Sequence, residues 1–211
     1  MSKGPRNLEP ERQASDAELA RRAAGGDEGA FAELVRLKRE RVFWIVQRIV
    51  GNQEDAREIA QATFVRLWKS LSKYRPDQGF DTWLYTIAAN LAIDHYRVHG
   101  TARAVPLEDV AEPAADERTA PSLAGDPLAA LAGAEMGRIF DRLAARLGEK
   151  QRAVFVLSQI EGVPTEQIAR MLGITASTVR NHLQQARRTL QQGLRESYPE
   201  YFPKPGGGQE K

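Results

Sequence analysis

The chain has 211 residues with a formal net charge of +2, long enough for one large or two small domains. It contains no cysteine, which excludes a disulfide framework, a thiolate zinc site and a cysteine nucleophile, and its imidazoles are only His95, His99 and His182. The first residues, Met1 to Gln13, are polar and charged rather than an apolar leader. No apolar run reaches the length of a membrane span, so a cytoplasmic protein without membrane insertion is expected.

Residues 1–14 read as disordered. Ser15 is a good N-cap with Glu18 three residues on, and the helix it starts stops at Gly25-Gly26. A long helix is expected over 28–50, where Phe31, Leu34, Val42, Ile45 and Ile49 recur at three- and four-residue spacing. Gly51-Asn52 ends it. A third helix over 53–72 carries Ala56, Ile59, Phe64, Leu67 and Leu71 on its inner stripe. Tyr74-Arg-Pro-Asp-Gln-Gly79 is a loop, because proline and glycine both oppose helix continuation. A fourth helix over 80–98 follows, with Phe80, Trp83, Leu84, Ile87, Leu91 and Ile93 as its apolar residues.

Residues 101–127 hold six acids (Glu108, Asp109, Glu112, Asp116, Glu117, Asp126), two bases (Arg103, Arg118) and no apolar stripe. Such a segment gains too little from burial to order itself and reads as a flexible acidic linker. As a coil it spans roughly 30 Å. Helical patterns return over 128–146, 149–161, 165–172 and 176–195, and the tail 197–211 is loose. No alternating strand pattern is present. The fold class is all-α: two small helical domains, 15–100 and 128–196, joined by the linker.

The segment Thr165-Glu-Gln-Ile-Ala-Arg-Met-Leu-Gly-Ile-Thr-Ala-Ser-Thr-Val-Arg-Asn-His-Leu183 has the pattern of a helix-turn-helix. Ile168 and Leu172 face inward, Ala169 permits a close crossing, and Gly173 takes the left-handed turn position. Ile174 plugs the angle, Thr175 or Ser177 caps the second helix, and Val179 and Leu183 anchor it. His182 stands where such motifs often carry an apolar residue, and Leu183 serves instead. The outer N-terminal part of the second helix then presents Ser177, Thr178, Arg180, Asn181 and Gln184, with Arg187 and Arg188 further along. Such a surface enters a major groove: Arg bridges guanine acceptors, Asn and Gln read adenine, and Ser, Thr and the later arginines hold phosphates.

Two rival readings fail on the residues. A receiver-type regulator needs β/α alternation and a phosphorylatable Asp at a strand end, and neither is visible. A zinc enzyme built on His95 and His99 lacks both a general-base glutamate after His95 and a third ligand. The chain reads as a binding protein, not an enzyme, without cofactor or metal.

Asp55-Ala-Arg-Glu-Ile-Ala-Gln-Ala-Thr-Phe64, Trp68, the loop, and Phe80-Asp-Thr-Trp-Leu-Tyr-Thr-Ile-Ala-Ala-Asn-Leu-Ala-Ile-Asp-His-Tyr-Arg97 resemble the second conserved region of bacterial sigma-70-family factors. With a helix-turn-helix close behind, the whole resembles the extracytoplasmic-function (ECF) subgroup. The resemblance implies a factor that carries core RNA polymerase to promoter DNA, melts the minus-10 element and starts transcription at a specific regulon. It implies that Asp55, Glu58, Gln61 and Phe64 dock on the β′ clamp helices, with Ala62 standing where the family usually carries an acid. It implies that Tyr74, Arg75, Gln78, Phe80, Trp83, Asn90 and Arg97 hold the melted minus-10 strand, Asn90 at an extruded base. Phe80 and Trp83 fit the core equally well. Melted bases are unstacked, and aromatic surfaces and polar pockets hold them. The second domain would bind the minus-35 element and the β flap. An anti-sigma factor is the remaining implied partner.

Overall fold

The computed structural model describes residues 8–75, 77, 79–99 and 137–199, and the side chains among them from Asp16 to Val98 and from residue 137 onward. All regular structure there is helical. In chain order it runs α1 (Leu8–Ala24), α2 (Glu28–Val50), α3 (Gln53–Ser70) with a 3-10 turn (Leu71–Lys73), and α4 (Phe80–His99). Then come α5 (residues 137–144), α6 (Glu149–Phe155) running into a π turn (Val156–Ile160), α7 (Thr165–Leu172) and α8 (Ala176–Ser197). The expected linker 101–127, residues 128–136 of the fifth helix and the tail beyond 199 lie outside the described residues.

The first module is built around α2, which packs on α1, α3 and α4. Its apolar stripe, Leu34, Val42, Ile45, Val46 and Ile49, is fully buried, and each such side chain contributes about 1.5–3 kcal/mol of transfer free energy. Local chemistry fixes the helix ends. Asp27 caps α2 by accepting the Ala30 N–H at 2.9 Å. Gly51 closes α2 in the left-handed conformation at φ 76°. Asn52 starts α3 rather than ending α2: its side-chain oxygen accepts the N–H groups of Glu54 (2.9 Å) and Asp55 (3.0 Å).

Three boundaries differ from the sequence expectation. α1 begins at Leu8, so the cap set at Ser15 falls inside the helix and residues 8–14 are helical rather than disordered. Leu8-Glu9-Pro10-Glu11 explains this, since proline is tolerated in a first turn and carboxylates suit its positive end. The helix expected over 149–161 widens into a π turn, with Glu161 donating to the Val156 carbonyl (3.1 Å), five residues back. The chain after Ser70 tightens into a 3-10 turn instead of extending α3.

Lys38 ties the first module together. Its ammonium lies against Asp16 of α1 and 2.7 Å from Asp81 of α4. Burial disfavours the charge, but the two carboxylates more than offset this and hold the lysine above its ordinary value.

In the second module Leu143, Ala144 and Leu147 meet Ala186 and Leu190 of α8 in a small core of their own. A Cβ at Gly193 would stand 2.7 Å from Leu143 Cδ2, so α5 and α8 cross closely there and any side chain would force Leu143 to shift. The remaining apolar residues of α6, α7 and α8 join those of α1–α4 in one continuous buried cluster. The two helical modules are therefore packed on one another, through α6 and α7 against α2 and α4.

Candidate nucleic-acid interface

The turn between α7 and α8 follows from its residues. Gly173 is left-handed at φ 62° and ψ 35°, and its N–H closes on the Ala169 carbonyl. The Ile174 N–H reaches the same carbonyl at 3.0 Å. Thr175, not Ser177, is the cap, accepting the Thr178 N–H at 3.1 Å. Ile168, Ala169, Val179 and Leu183 are buried at the crossing, so Leu183 takes the anchoring place beside His182. His182 is half-buried with Nδ1 unpartnered, and burial, with Lys150 nearby, pushes it below its ordinary value.

What remains outside α8 is polar and basic. Ser177, Arg180, Asn181, Gln184, Arg187 and Arg188 are exposed, and Thr178 is half-buried with its hydroxyl 2.8 Å from that of Thr175. Arg180 has only a loose neighbour, Glu166 at 4.0 Å, and Arg187 donates to Gln159 Oε1 at 2.9 Å. No acid lies in the first turn of α8. Its positive helix end and its arginines thus present one sign of charge, which suits a phosphate backbone.

On the other module, Tyr74, Phe80 and Trp83 form one aromatic cluster at the start of α4. Tyr74 stacks on Trp83 at 5.2 Å, and Phe80 meets Tyr74 edge-on at 5.8 Å. Phe80 is 3% exposed. It belongs to the core, and its contribution to a surface is to hold the half-buried Tyr74 and Trp83 in place. Burial pushes the Tyr74 phenol up, reinforced by Asp16, Asp81 and Asp77. Arg75 is exposed beside the cluster, and Gln78 lies outside the described residues. Asn90 is exposed two turns and more along α4, and its amide donates to the Met171 carbonyl at 3.2 Å. Arg97 is exposed near the end of the helix, 3.9 Å from Asp94.

The four α3 residues that the resemblance gives as docking residues do not share one surface. Glu58 and Gln61 are exposed, but Asp55 is half-buried and turned toward α4, with its carboxylate 3.9 Å from His95 Nε2. Phe64 is 9% exposed and belongs to the core. Sequence reasoning missed what lies next to them. Val65 and Trp68 are 49% and 40% exposed. They form with Phe31, Val35 and Phe64 the wall of an apolar cleft of about 610 Å³, rimmed by Glu28, Arg39 and Gln61. The signal was present: two large apolar residues three apart, off the inner stripe of α3.

Residues 34–101 match the family model of sigma-70 region 2, and residues 137–190 match that of sigma-70 region 4. The chain is 34% identical over 175 residues to the ECF RNA polymerase sigma factor SigE of Mycolicibacterium smegmatis, covering 81% of this chain and 65% of that relative's length. It is 30% identical over 187 residues to the ECF RNA polymerase sigma factor SigK of Mycobacterium bovis, covering 88% of this chain and 97% of that relative. The chain belongs to the ECF sigma factors of the sigma-70 family. Among solved structures it is similar to CnrH, whose complex with the cytosolic domain of CnrY aligns at a TM-score of 0.60 and 25% identity over 86% of this chain and 98% of that one.

As a sigma factor the chain directs promoter recognition and transcription initiation by RNA polymerase. The region 2 match spans most of α2 and all of α3 and α4, and the region 4 match spans α5 to α7 and most of α8. The helix-turn-helix of this sigma factor thus falls within region 4, and the aromatic cluster with Asn90 within region 2. Among the described residues no helix is long and apolar enough to cross a membrane, and no group of three or more His, Asp or Glu gathers as a metal site.

Proposed function

We propose a division of labour among three surfaces of this sigma factor. The melted non-template strand of the minus-10 element runs over α4, with Asn90 hydrogen-bonding an extruded base and Tyr74 and Trp83 stacking its neighbours. Arg75 and Arg97 neutralise phosphates, and Gln78 joins the same loop. The N-terminal half of α8 enters the minus-35 major groove: Arg180, Asn181 and Gln184 meet base edges, and Ser177, Thr178, Arg187 and Arg188 meet the backbone. Glu58 and Gln61, at the rim of the apolar cleft, dock the polymerase β′ clamp helices, with Asp55 and Phe64 supporting them from behind. The second module also meets the β flap. The factor works in the cytoplasm, binds without catalysing, and is held by an anti-sigma factor, as CnrH is seen with the cytosolic domain of CnrY. Residues 15–100 and 128–196 are the functional units.

The observation that carries this reading is the acid-free, arginine-bearing front of α8 in one chain with an exposed asparagine on α4. Run-off transcription with purified core enzyme tests it. Asn90→Ala should lower promoter opening while upstream duplex binding persists, and Arg180→Ala should weaken upstream duplex binding. If both variants initiate as well as the parent chain, the residue assignment is wrong.

A further inference from the structure

The polar stripe of α8 runs from Arg180 through Gln184 to Arg187, at four- and three-residue spacings that keep the three on one face. Two side chains from outside the helix border it. Glu166 of α7 stands 4.0 Å from Arg180 Nη1. Gln159, the fourth residue of the π turn, accepts a hydrogen bond from Arg187 Nη2 at 2.9 Å. The nitrogen of the same amide donates to the Ser158 hydroxyl at 2.8 Å. That second bond turns the amide so that its oxygen faces the guanidinium.

The π turn is what delivers Gln159 to this place. It holds one residue more than an α turn, closing from the Glu161 N–H to the Val156 carbonyl at 3.1 Å. The added residue displaces the side chains around it about the helix axis. Gln159 is exposed and reaches α8, while Val156 and Leu157 of the same turn stay buried.

The chemistry of the contact suits an anion beyond it. A guanidinium carries several N–H donors in a fixed fork and no acceptor. Gln159 occupies one donor and brings no charge. Arg187 forms no ion pair among the described residues. Its full charge and its remaining donors therefore stay available to a phosphate, which a guanidinium grips through two parallel N–H bonds. An acid at position 159 would take the charge as well as the donor.

We infer that Gln159 is a positioning residue for minus-35 binding: it orders Arg187 toward the DNA backbone before contact, without neutralising it. This rests on the reading of Arg187 as a phosphate contact. The gain is pre-organisation, because a long side chain already held in its binding geometry loses less freedom on contact.

Binding of holoenzyme, assembled from core and the full-length chain, to duplex DNA over a range of salt tests this. The duplex carries the minus-35 element, cut short of the minus-10 element, of a promoter that the parent protein selects from genomic DNA. Arg187→Gln should reduce the steepness with which log affinity falls against log salt by about 0.9, the loss of one phosphate contact. Gln159→Glu should reduce it by a similar amount, since an ion pair withdraws the charge. Gln159→Ala should weaken binding about three- to fivefold, the scale of ordering one long side chain, with the salt dependence unchanged. In an Arg187→Gln background, Gln159→Ala should cost nothing further. Both residues are exposed, so these changes leave the buried core intact. The inference is overturned if Gln159→Ala binds like the parent chain, if its loss persists without Arg187, or if Gln159→Glu keeps the parent salt dependence. A failure of the phosphate reading is seen separately: Arg187→Gln would then leave both affinity and salt dependence unchanged.

Discussion

Arg152 donates its Nε–H to the backbone carbonyl of Arg48, joining α6 to the end of α2 through a side chain that is 2% exposed. Asp141 Oδ1 lies 3.5 Å from its Nη2, an ion pair looser than a hydrogen bond. Burial pushes the Arg152 and Arg48 guanidinium groups down and the Asp141 carboxyl up, each group being penalised for leaving water. Removing the guanidinium strands the Arg48 carbonyl and takes from the Asp141 carboxylate its nearby counter-charge, so Arg152→Ala should cost about 2–4 kcal/mol. Arg152→Met keeps the aliphatic packing and should cost less. Urea unfolding of the two variants checks the order; equal losses would show that the aliphatic stem of Arg152 contributes nothing.

The same guanidinium limits what can stand at Gly51. A Cβ there would lie 3.0 Å from both terminal nitrogens of Arg152, and the backbone is left-handed at φ 76°. Gly51→Ala should therefore combine about 1–2 kcal/mol of backbone strain with displacement of Arg152. The diagnostic is non-additivity: in an Arg152→Met background the cost of Gly51→Ala should shrink. An unchanged cost would confine the effect to the backbone.

Much of this architecture was legible in local patterns. The stripes of α2, α3 and α4, the loop at 74–79, and the turn built on Gly173 with Ile174 and Val179 are all short-range features. The junction between the modules was not. Arg152 and Arg48 are 104 residues apart, and Arg41 and Glu161 are 120 apart. Each of the four looks like an ordinary surface charge on its own helix, and only packing shows that they meet, with Arg152 and the Glu161 carboxylate buried. The π turn was hidden for another reason, because a five-residue hydrogen bond leaves no mark in a pattern read at 3.6. Asp55 illustrates a third: α4 approaches α3 closely enough to set its carboxylate beside His95, a contact 40 residues away in the chain.

The cleft on α3 yields a prediction that separates docking from folding. Val65 is 49% exposed, so Val65→Asp removes little buried surface and should change stability by under about 0.5 kcal/mol. A carboxylate on the apolar wall should nonetheless weaken core polymerase binding by about tenfold or more, as for a charge forced into an apolar contact. Exposed Ala62 sits beside it, where the family usually carries an acid, and Ala62→Glu should strengthen binding by up to about fivefold through one charged contact. Fluorescence titration of labelled sigma factor with core enzyme reads both. If Val65→Asp binds like the parent chain, the cleft is not part of the docking surface.

His182 supplies the pH dependence. Burial first, then Lys150, holds its folded-state value below the ordinary 6.5, with Glu149 opposing more weakly. The folded state thus binds fewer protons than the unfolded chain below that pH, and stability falls as pH falls. The contribution is fully present above pH 6.5 and is lost progressively as pH drops from there through the depressed value. His182→Leu removes the titrating group at a half-buried position whose Nδ1 has no partner. Its stability should therefore decline less between about pH 6.5 and 5 than that of the parent chain. Because the comparison is a difference between two chains, the other histidines and the carboxylates cancel. Denaturant unfolding at a series of pH values measures it, and parallel decline of parent and variant would rule out a depressed His182.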